Sequence, residues 1–285
     1  MQLIGFNANG NNFHFVRDLT EEELLSHKNY TPVFVEANNR LKLFKVLDLN
    51  YKEWKDYISL LRKPGQRNWD ADYLQLDRLM LNYLATAYTL QMHFKVSFDR
   101  RFKKVPGKSK AYADFLNEMC RNYWEFAFFL DFRDHVQHRG LGIGGYNRQE
   151  FTEFAEVRIV YDSAQLFKET ANIHRPRCKL TGNEGALNLV DLLDKFHQQM
   201  FQKYGSFVAT TFAAELMPAA KFYAKLTEEV QKINPAFKMF FGAVVPEEST
   251  NPQKANLSLK LIPNDLLAEL GLSVSVNIDA NFIAA

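Results

Sequence analysis

From residue 72 to residue 104 the chain carries no proline and no glycine, and Leu76, Leu79, Met80, Tyr83, Leu84, Ala87, Leu90 and Phe94 recur at helical spacing. So long an unbroken periodic run predicts a single long helix. Val105-Pro106-Gly107 ends it, and a second long helix is expected over 109–139, stopped by the cluster Gly140, Gly142, Gly144 and Gly145. Two long neighbours with a short connector make an antiparallel hairpin.

The flanks read differently. Thr20-Glu21-Glu22-Glu23 fits a capping box opening a short helix, and 30–49 reads as two strands around a polar Asn38-Asn39 turn. Asn50, with Glu53 three residues on, starts a helix over 51–62 that Lys63-Pro64-Gly65 stops. Beyond the hairpin, Val157, Ile159 and Tyr161 alternate with Arg158 and Val160 as a strand, and a loop follows over 176–185. Helices are expected over 187–204 and 207–233, with Pro218 kinking the second, and strands over 237–245 and 255–262. The fold class is therefore mainly α, a helical bundle with two long antiparallel helices and small β-containing N- and C-terminal flanks. Its divisions are an α+β lead-in over 1–69, the bundle over 70–235 and a β-containing segment over 236–285.

Composition limits what this architecture serves. At 285 residues, 47% hydrophobic and 24% charged, the chain can bury a sizeable core and lies far from the disordered regime. Aromatics reach 14%, with 25 Phe and 12 Tyr, which points to thick helix packing or a sticky interface. A formal charge of +2 recruits neither nucleic acid nor anionic membrane in bulk, so any basic footprint must be local. Cys120 and Cys178 form no CxxC pair and read as ordinary thiols of a reducing compartment. The N-terminal residues lack the basic region and apolar core of a secretory signal. The greasiest stretch, 123–132, contains Glu125 and Asp131 and is half of the about 20 residues a bilayer requires. A cytoplasmic protein without membrane contact is expected.

A helical wheel of 109–139 puts Tyr112, Phe115, Leu116, Met119, Tyr123, Phe126, Ala127 and Leu130 on one face. Continued, it brings Arg133, Gln137, Asp134 and His138 onto that same inward face, within about 140°. Asp114, Asn117, Glu118, Arg121 and Glu125 occupy the opposite side. Half-burying Arg, Asp and His together costs several kcal/mol unless they pair or meet a ligand. One reading is an end-of-bundle polar network, with Asp134 and His138 bonded at i, i+4. The other is a phosphate-handling site: a fixed guanidinium takes a phosphoryl oxygen, and an imidazole of pKa about 6.5 serves as acid or base near neutrality. Arg133 and His138 stand five positions apart, on one side of the helix but not stacked, so one phosphodiester could sit between them.

These residues, Arg133-Asp134-His135-Val136-Gln137-His138, resemble the signature of the HEPN (higher eukaryotes and prokaryotes nucleotide-binding) family: an arginine, a polar residue and then a histidine after four to six intervening positions. The resemblance covers roughly 70–234, including the Gly-rich turn after the motif and two later helices. It implies a bundle of four or five helices that forms a homodimer with its two motifs facing across a cleft. In many members it implies a metal-independent endoribonuclease without a cofactor, in a toxin or defence role, with a protein inhibitor as a further partner. Carried over, Arg133 would bind the scissile phosphate, Asp134 would orient the pair and His138 would act on the 2′-hydroxyl. Other members are non-catalytic modules, so the alternative is a unit binding nucleotide, RNA or a protein. The β-containing flanks depart from a minimal domain of this family.

Other features point elsewhere or nowhere. His135 and His138 are i, i+3 neighbours, but His135 leans to the polar side and no further ligand lies nearby in sequence, so no metal is expected. The glycine cluster follows a helix and lacks a Gly-Lys-Ser/Thr ending, which makes it a C-cap and turn. Lys95, Arg100, Arg101, Lys103, Lys104, Lys108 and Lys110 crowd the hairpin tip with Asp99 the only acid among them. Of these, Arg100, Arg101, Lys103 and Lys104 are the candidate RNA contacts, outside the cleavage site. Common hydrolase signatures are absent.

Overall fold

Helix dominates the computed structural model, which describes residues 1–7, 12–139, 145–164, 168, 177–178, 185–245 and 256–261. The chain divides into two compact units, one of Met1–Leu41 with Thr210–Ala285 and the other of Lys42–Ala209. The fold is mainly α, as the sequence leads one to expect.

In the first unit, β1 (Gln2–Asn7) and β2 (Asn12–Asp18) form an antiparallel hairpin. β6 (Lys238–Val245) pairs with the other edge of β1, and β7 (Asn256–Leu261) with β6, giving the order β2-β1-β6-β7. Strands from the two ends of the chain thus share one sheet, and the segments 1–69 and 236–285 are not separate flanks. The sheet supports the first half of α1 (Glu21–Leu61) and most of α6 (Gly205–Ile233) around a core that includes Leu3, Phe34, Tyr223, Leu226 and Met239. Arg17 pairs with Glu23 at 2.7 Å and Glu229 at 2.5 Å, tying β2 to both helices.

The expected capping box forms: Thr20 Oγ1 accepts from the Glu23 N–H at 3.2 Å and Glu23 Oε2 from the Thr20 N–H at 3.0 Å. The helix it opens is not short. It runs 41 residues through the two strands expected over 30–49 and through the supposed start at Asn50. His27, Phe34, Ala37, Arg40, Leu47, Trp54, Ile58 and Leu61 are buried at separations of three, four or seven, so the long helical period overrides the local β-propensity of Val33-Phe34-Val35. Asn50 caps nothing; its Nδ2 donates to Thr86 Oγ1 at 2.7 Å. The break at Lys63-Pro64-Gly65 holds, with Gly65 at φ +124°. Arg148 donates to the Leu61 and Lys63 carbonyls there, at 2.9 and 2.7 Å, satisfying acceptors the helix end leaves open.

The second unit holds the end of α1 and α2 (Trp69–Phe102), α3 (Ala111–Asn122) and α4 (Trp124–Arg139). After these come an antiparallel sheet of β3 (Gly145–Glu150), β4 (Ala155–Asp162) and β5 (Ala186–Asn188), and then α5 (Leu189–Gln199). A π turn, Met200–Tyr204, carries α5 on into α6, where two separate helices were expected. β4 alternates as its pattern predicts, burying Ala155, Val157, Ile159 and Tyr161.

The helix expected over 109–139 is two helices. Tyr123 is extended, at φ −127° and ψ 100°. α3 returns along α2, with Tyr112 beside Phe94 and Phe98, and buries only Tyr112 and Met119. Over 126–136 α4 is buried nearly all round, although half of its sixteen residues are polar or charged, and a straight continuation of the one-sided α3 would not be enclosed in that way. The hairpin therefore has one long arm, α2, and one short arm, α3.

Candidate functional site

Phe126, Ala127, Phe128, Phe129 and Phe132 of α4 are all buried, with Phe129 stacked on Phe196 of α5 and Phe132 against Tyr161 of β4. Polar side chains on so enclosed a helix must find partners inside the protein. Asp131, 0% exposed, accepts the backbone N–H of Arg177 at 2.7 Å and of Cys178 at 2.8 Å, and Arg177 Nη1 at 3.1 Å. Arg177 Nη1 also reaches Asp134 at 2.8 Å, and the second oxygen of Asp134 accepts from Arg133 Nη1 at 2.7 Å. The Arg133 guanidinium lies 3.3 Å above the Tyr88 ring of α2. Two arginines and two aspartates thus alternate in one chain of contacts.

The side chains of Arg133 and Asp134 are 14% and 16% exposed, that of Arg177 41%. All three line a cavity of about 130 Å³ with Tyr88, Leu116 and Phe196. Burial alone would raise the pKa of Asp134, but the bonds from Arg177 and Arg133 outweigh it and hold the carboxyl below its ordinary range. Burial would likewise lower the Arg177 pKa, and Asp134 and Asp131 together raise it above the usual arginine value. Asp134 at neutral pH is therefore an ionised acceptor rather than an acid. Arg133 Nε is buried with no hydrogen-bond partner among the described residues, an arrangement that costs about 1–3 kcal/mol when no ligand relieves it.

Arg133 and Asp134 accordingly stand together. His138 occupies the last turn of α4, about 7.5 Å along the axis from Arg133, and its side chain lies outside the described residues. Two expectations from the wheel fail. Gln137 is exposed, and His135, expected on the polar side, is buried with Nε2 2.7 Å from the Tyr161 hydroxyl. The cause is the break at Tyr123, since faces projected from α3 do not carry across it. Glu125, on the supposed polar side, accepts from Lys195 at 3.0 Å and Gln199 at 3.3 Å. Residues 140–144 of the glycine cluster lie outside the described residues, and Gly145 opens β3.

The basic tip stands apart from this cavity. Arg100, Lys103 and Lys104 are exposed and Arg101 half-buried, and Arg100 is twelve positions beyond Tyr88 on α2, about 18 Å along the axis. Lys95 pairs with Asp99 at 2.6 Å within the helix. Cys120 and Cys178 form no disulfide, and burial raises the Cys120 thiol pKa. Among the described residues no group of three or more His, Cys, Asp or Glu side chains is placed to hold a metal ion, and no helix is long and apolar enough to cross a membrane.

Sequence reasoning missed Tyr88, Asp131 and Arg177. Asp131 left a signal, a carboxylate inside the greasiest stretch of the chain, which needs an internal cation. Nothing local marks Arg177, 46 positions further on, as that cation.

A second half-buried polar cluster lies between α1, α2 and α5. His197 stacks on Tyr51, rings 3.7 Å and 8° apart, with Nδ1 3.2 Å from the Tyr83 hydroxyl, while Tyr51 and Lys55 bind Asp194 at 2.9 and 2.6 Å. Comparison with protein-family models, curated proteins and solved structures finds no match to this chain.

Proposed function

We propose that the protein is a metal-independent endoribonuclease of the HEPN kind, with Arg133, Asp134 and His138 at its centre. The observation that carries this reading is the Arg133 guanidinium, half-buried between Tyr88 and Asp134 at the wall of a cavity, one and a half turns before His138. His138 removes the 2′-hydroxyl proton, the 2′-oxygen attacks the adjacent phosphorus, and the bond to the 5′-oxygen breaks as that oxygen takes up a proton. Arg133 stabilises the charge that grows on the phosphorane. Asp134 orients Arg133.

A homodimer with paired sites belongs to the same reading. Leu74, Leu81, Tyr88, Met92 and Val96 are exposed within about 80° of the α2 wheel, opposite its buried face, and Tyr88 belongs to the site. An apolar stripe along a helix that also carries a site residue supports a second copy as its cover.

A non-catalytic module binding nucleotide, RNA or a protein is favoured by one feature, the double restraint of Arg133 by Asp134 and Tyr88. Incubating mixed RNA with the protein in chelator, beside Arg133→Ala and His138→Ala, decides between them. Cleavage by the parent protein that both changes cut by about 10² to 10⁴ supports the nuclease. Binding without cleavage supports the module.

A further inference from the structure

We propose that Arg177 is a second phosphate-binding residue of this cavity, positioned by Asp131, so that a phosphate is taken between two guanidiniums. The proposal rests on the reading of Arg133 as a phosphate ligand. Arg177 is anchored at both ends, since its backbone N–H and its Nη1 both bond to Asp131, a fully buried carboxylate on the central helix. Its bonds to Asp131 and Asp134 both use Nη1, so Nε and Nη2 have no hydrogen-bond partner among the described residues. Arg133 likewise gives Nη1 to Asp134 and keeps Nε without one. An arginine recognises phosphate through adjacent N–H groups of its planar fork, and here two such residues line one cavity with donors to spare.

Asp134 sets the spacing of the pair, because each of its oxygens holds one guanidinium. Together with Asp131 it offsets the repulsion between the two cations, so an anion does not have to assemble them. With two carboxylates already balancing two arginines, the contribution of Arg177 is directional hydrogen bonding rather than bulk attraction. The ligand class is a phosphate oxygen, whether of an RNA backbone or of a nucleotide.

The test is fluorescence anisotropy across a range of salt, using a labelled 2′-O-methyl RNA oligonucleotide, which lacks the attacking hydroxyl, and a labelled nucleoside diphosphate. Arg177→Gln should weaken whichever probe binds by about tenfold, as loss of a charged hydrogen bond does. On the oligonucleotide it should also lower the logarithmic salt slope by about 0.7, one phosphate contact on a single strand. Arg177→Lys should keep the slope and lose affinity, and it decides the matter if the glutamine variant does not fold. Oligonucleotide binding assigns the site to backbone phosphate, and binding of the diphosphate alone assigns it to a nucleotide. Unchanged affinity and slope in the folded variant, or no binding of either probe by the parent protein, overturns the proposal. Cleavage of unmodified RNA separates the two readings. A binding loss in Arg177→Gln without any parent cleavage leaves the phosphate clamp and removes the nuclease, whereas parent cleavage that Arg177→Gln matches in kcat and KM removes the clamp and leaves the nuclease.

Discussion

His197 has its pKa lowered to about 4, because burial against Tyr51 and Tyr83 penalises the imidazolium more than Asp48 and Asp194 favour it. Its folded value lies below the unfolded one, so the stability it confers is fully present above about pH 6.5 and is lost as pH falls toward about 4. The contribution is on the order of 2 kcal/mol once solvent screening at the half-buried ring is allowed for. Denaturant midpoints measured from pH 7.5 to 4 should therefore fall in the parent protein and flatten in His197→Phe between pH 6.5 and 4; equal slopes would show that the ring does not titrate in that window. Arg133 is subject to a different constraint. It stacks on Tyr88 and donates to Asp134, geometry that a planar fork meets and an ammonium does not, so Arg133→Lys should lose RNA cleavage by about 10² to 10³ while melting near the parent temperature. Cleavage retained with lysine would reduce the role to charge alone. That Arg133 and Asp134 stand together is legible in the sequence because the two are adjacent. Arg177 is not, since its role depends on the burial of Asp131, which follows from the packing of a whole helix.

Helices in this protein are set by long-range period more than by local propensity. In α1, Asn38-Asn39 looks like a turn and Val33-Phe34-Val35 like a strand, yet the buried series from His27 to Leu61 keeps one helical face over 35 of the helix's 41 residues. The break at Tyr123 is the opposite case: the sequence around it contains no glycine or proline, and the change there is from a helix buried on one side to one buried nearly all round. Gly205 and Gly5 test how tightly elements meet. Gly205 is helical at φ −59°, and a Cβ there would have its closest contact at 3.7 Å, so Gly205→Ala should stabilise by about 0.5–1 kcal/mol in denaturant unfolding. Gly5 lies on β1, where a Cβ would approach the Phe237 ring to 2.6 Å, so Gly5→Ala should destabilise by about 1–3 kcal/mol. A neutral Gly5→Ala would mean that the Phe237 ring moves aside freely.

For the whole molecule, the dimer proposed from the exposed stripe of α2 is open to a direct test. Sedimentation at micromolar concentration should give twice 33.1 kDa, and Leu81→Arg combined with Met92→Arg should give the monomer and cost cleavage; a parent protein that sediments as a monomer would remove the paired cleft. That the two ends of the chain share a sheet was not legible, because strand pairing between β1 and β6 leaves no mark at either site alone. Whether Arg133 and His138 cut RNA through its own 2′-hydroxyl is read from the chemical ends of the products. An RNA oligonucleotide, and the same oligonucleotide with a single 2′-deoxy residue at the cut, are incubated with the protein in chelator. The proposed mechanism yields fragments ending in a 2′,3′-cyclic phosphate and a 5′-hydroxyl, no cut beside the deoxy residue, and a rate lowered by about 10² to 10⁴ in His138→Ala. Cleavage at the deoxy position, fragments ending in 5′-phosphate and 3′-hydroxyl, or a rate unchanged in both His138→Ala and Arg133→Ala would contradict it.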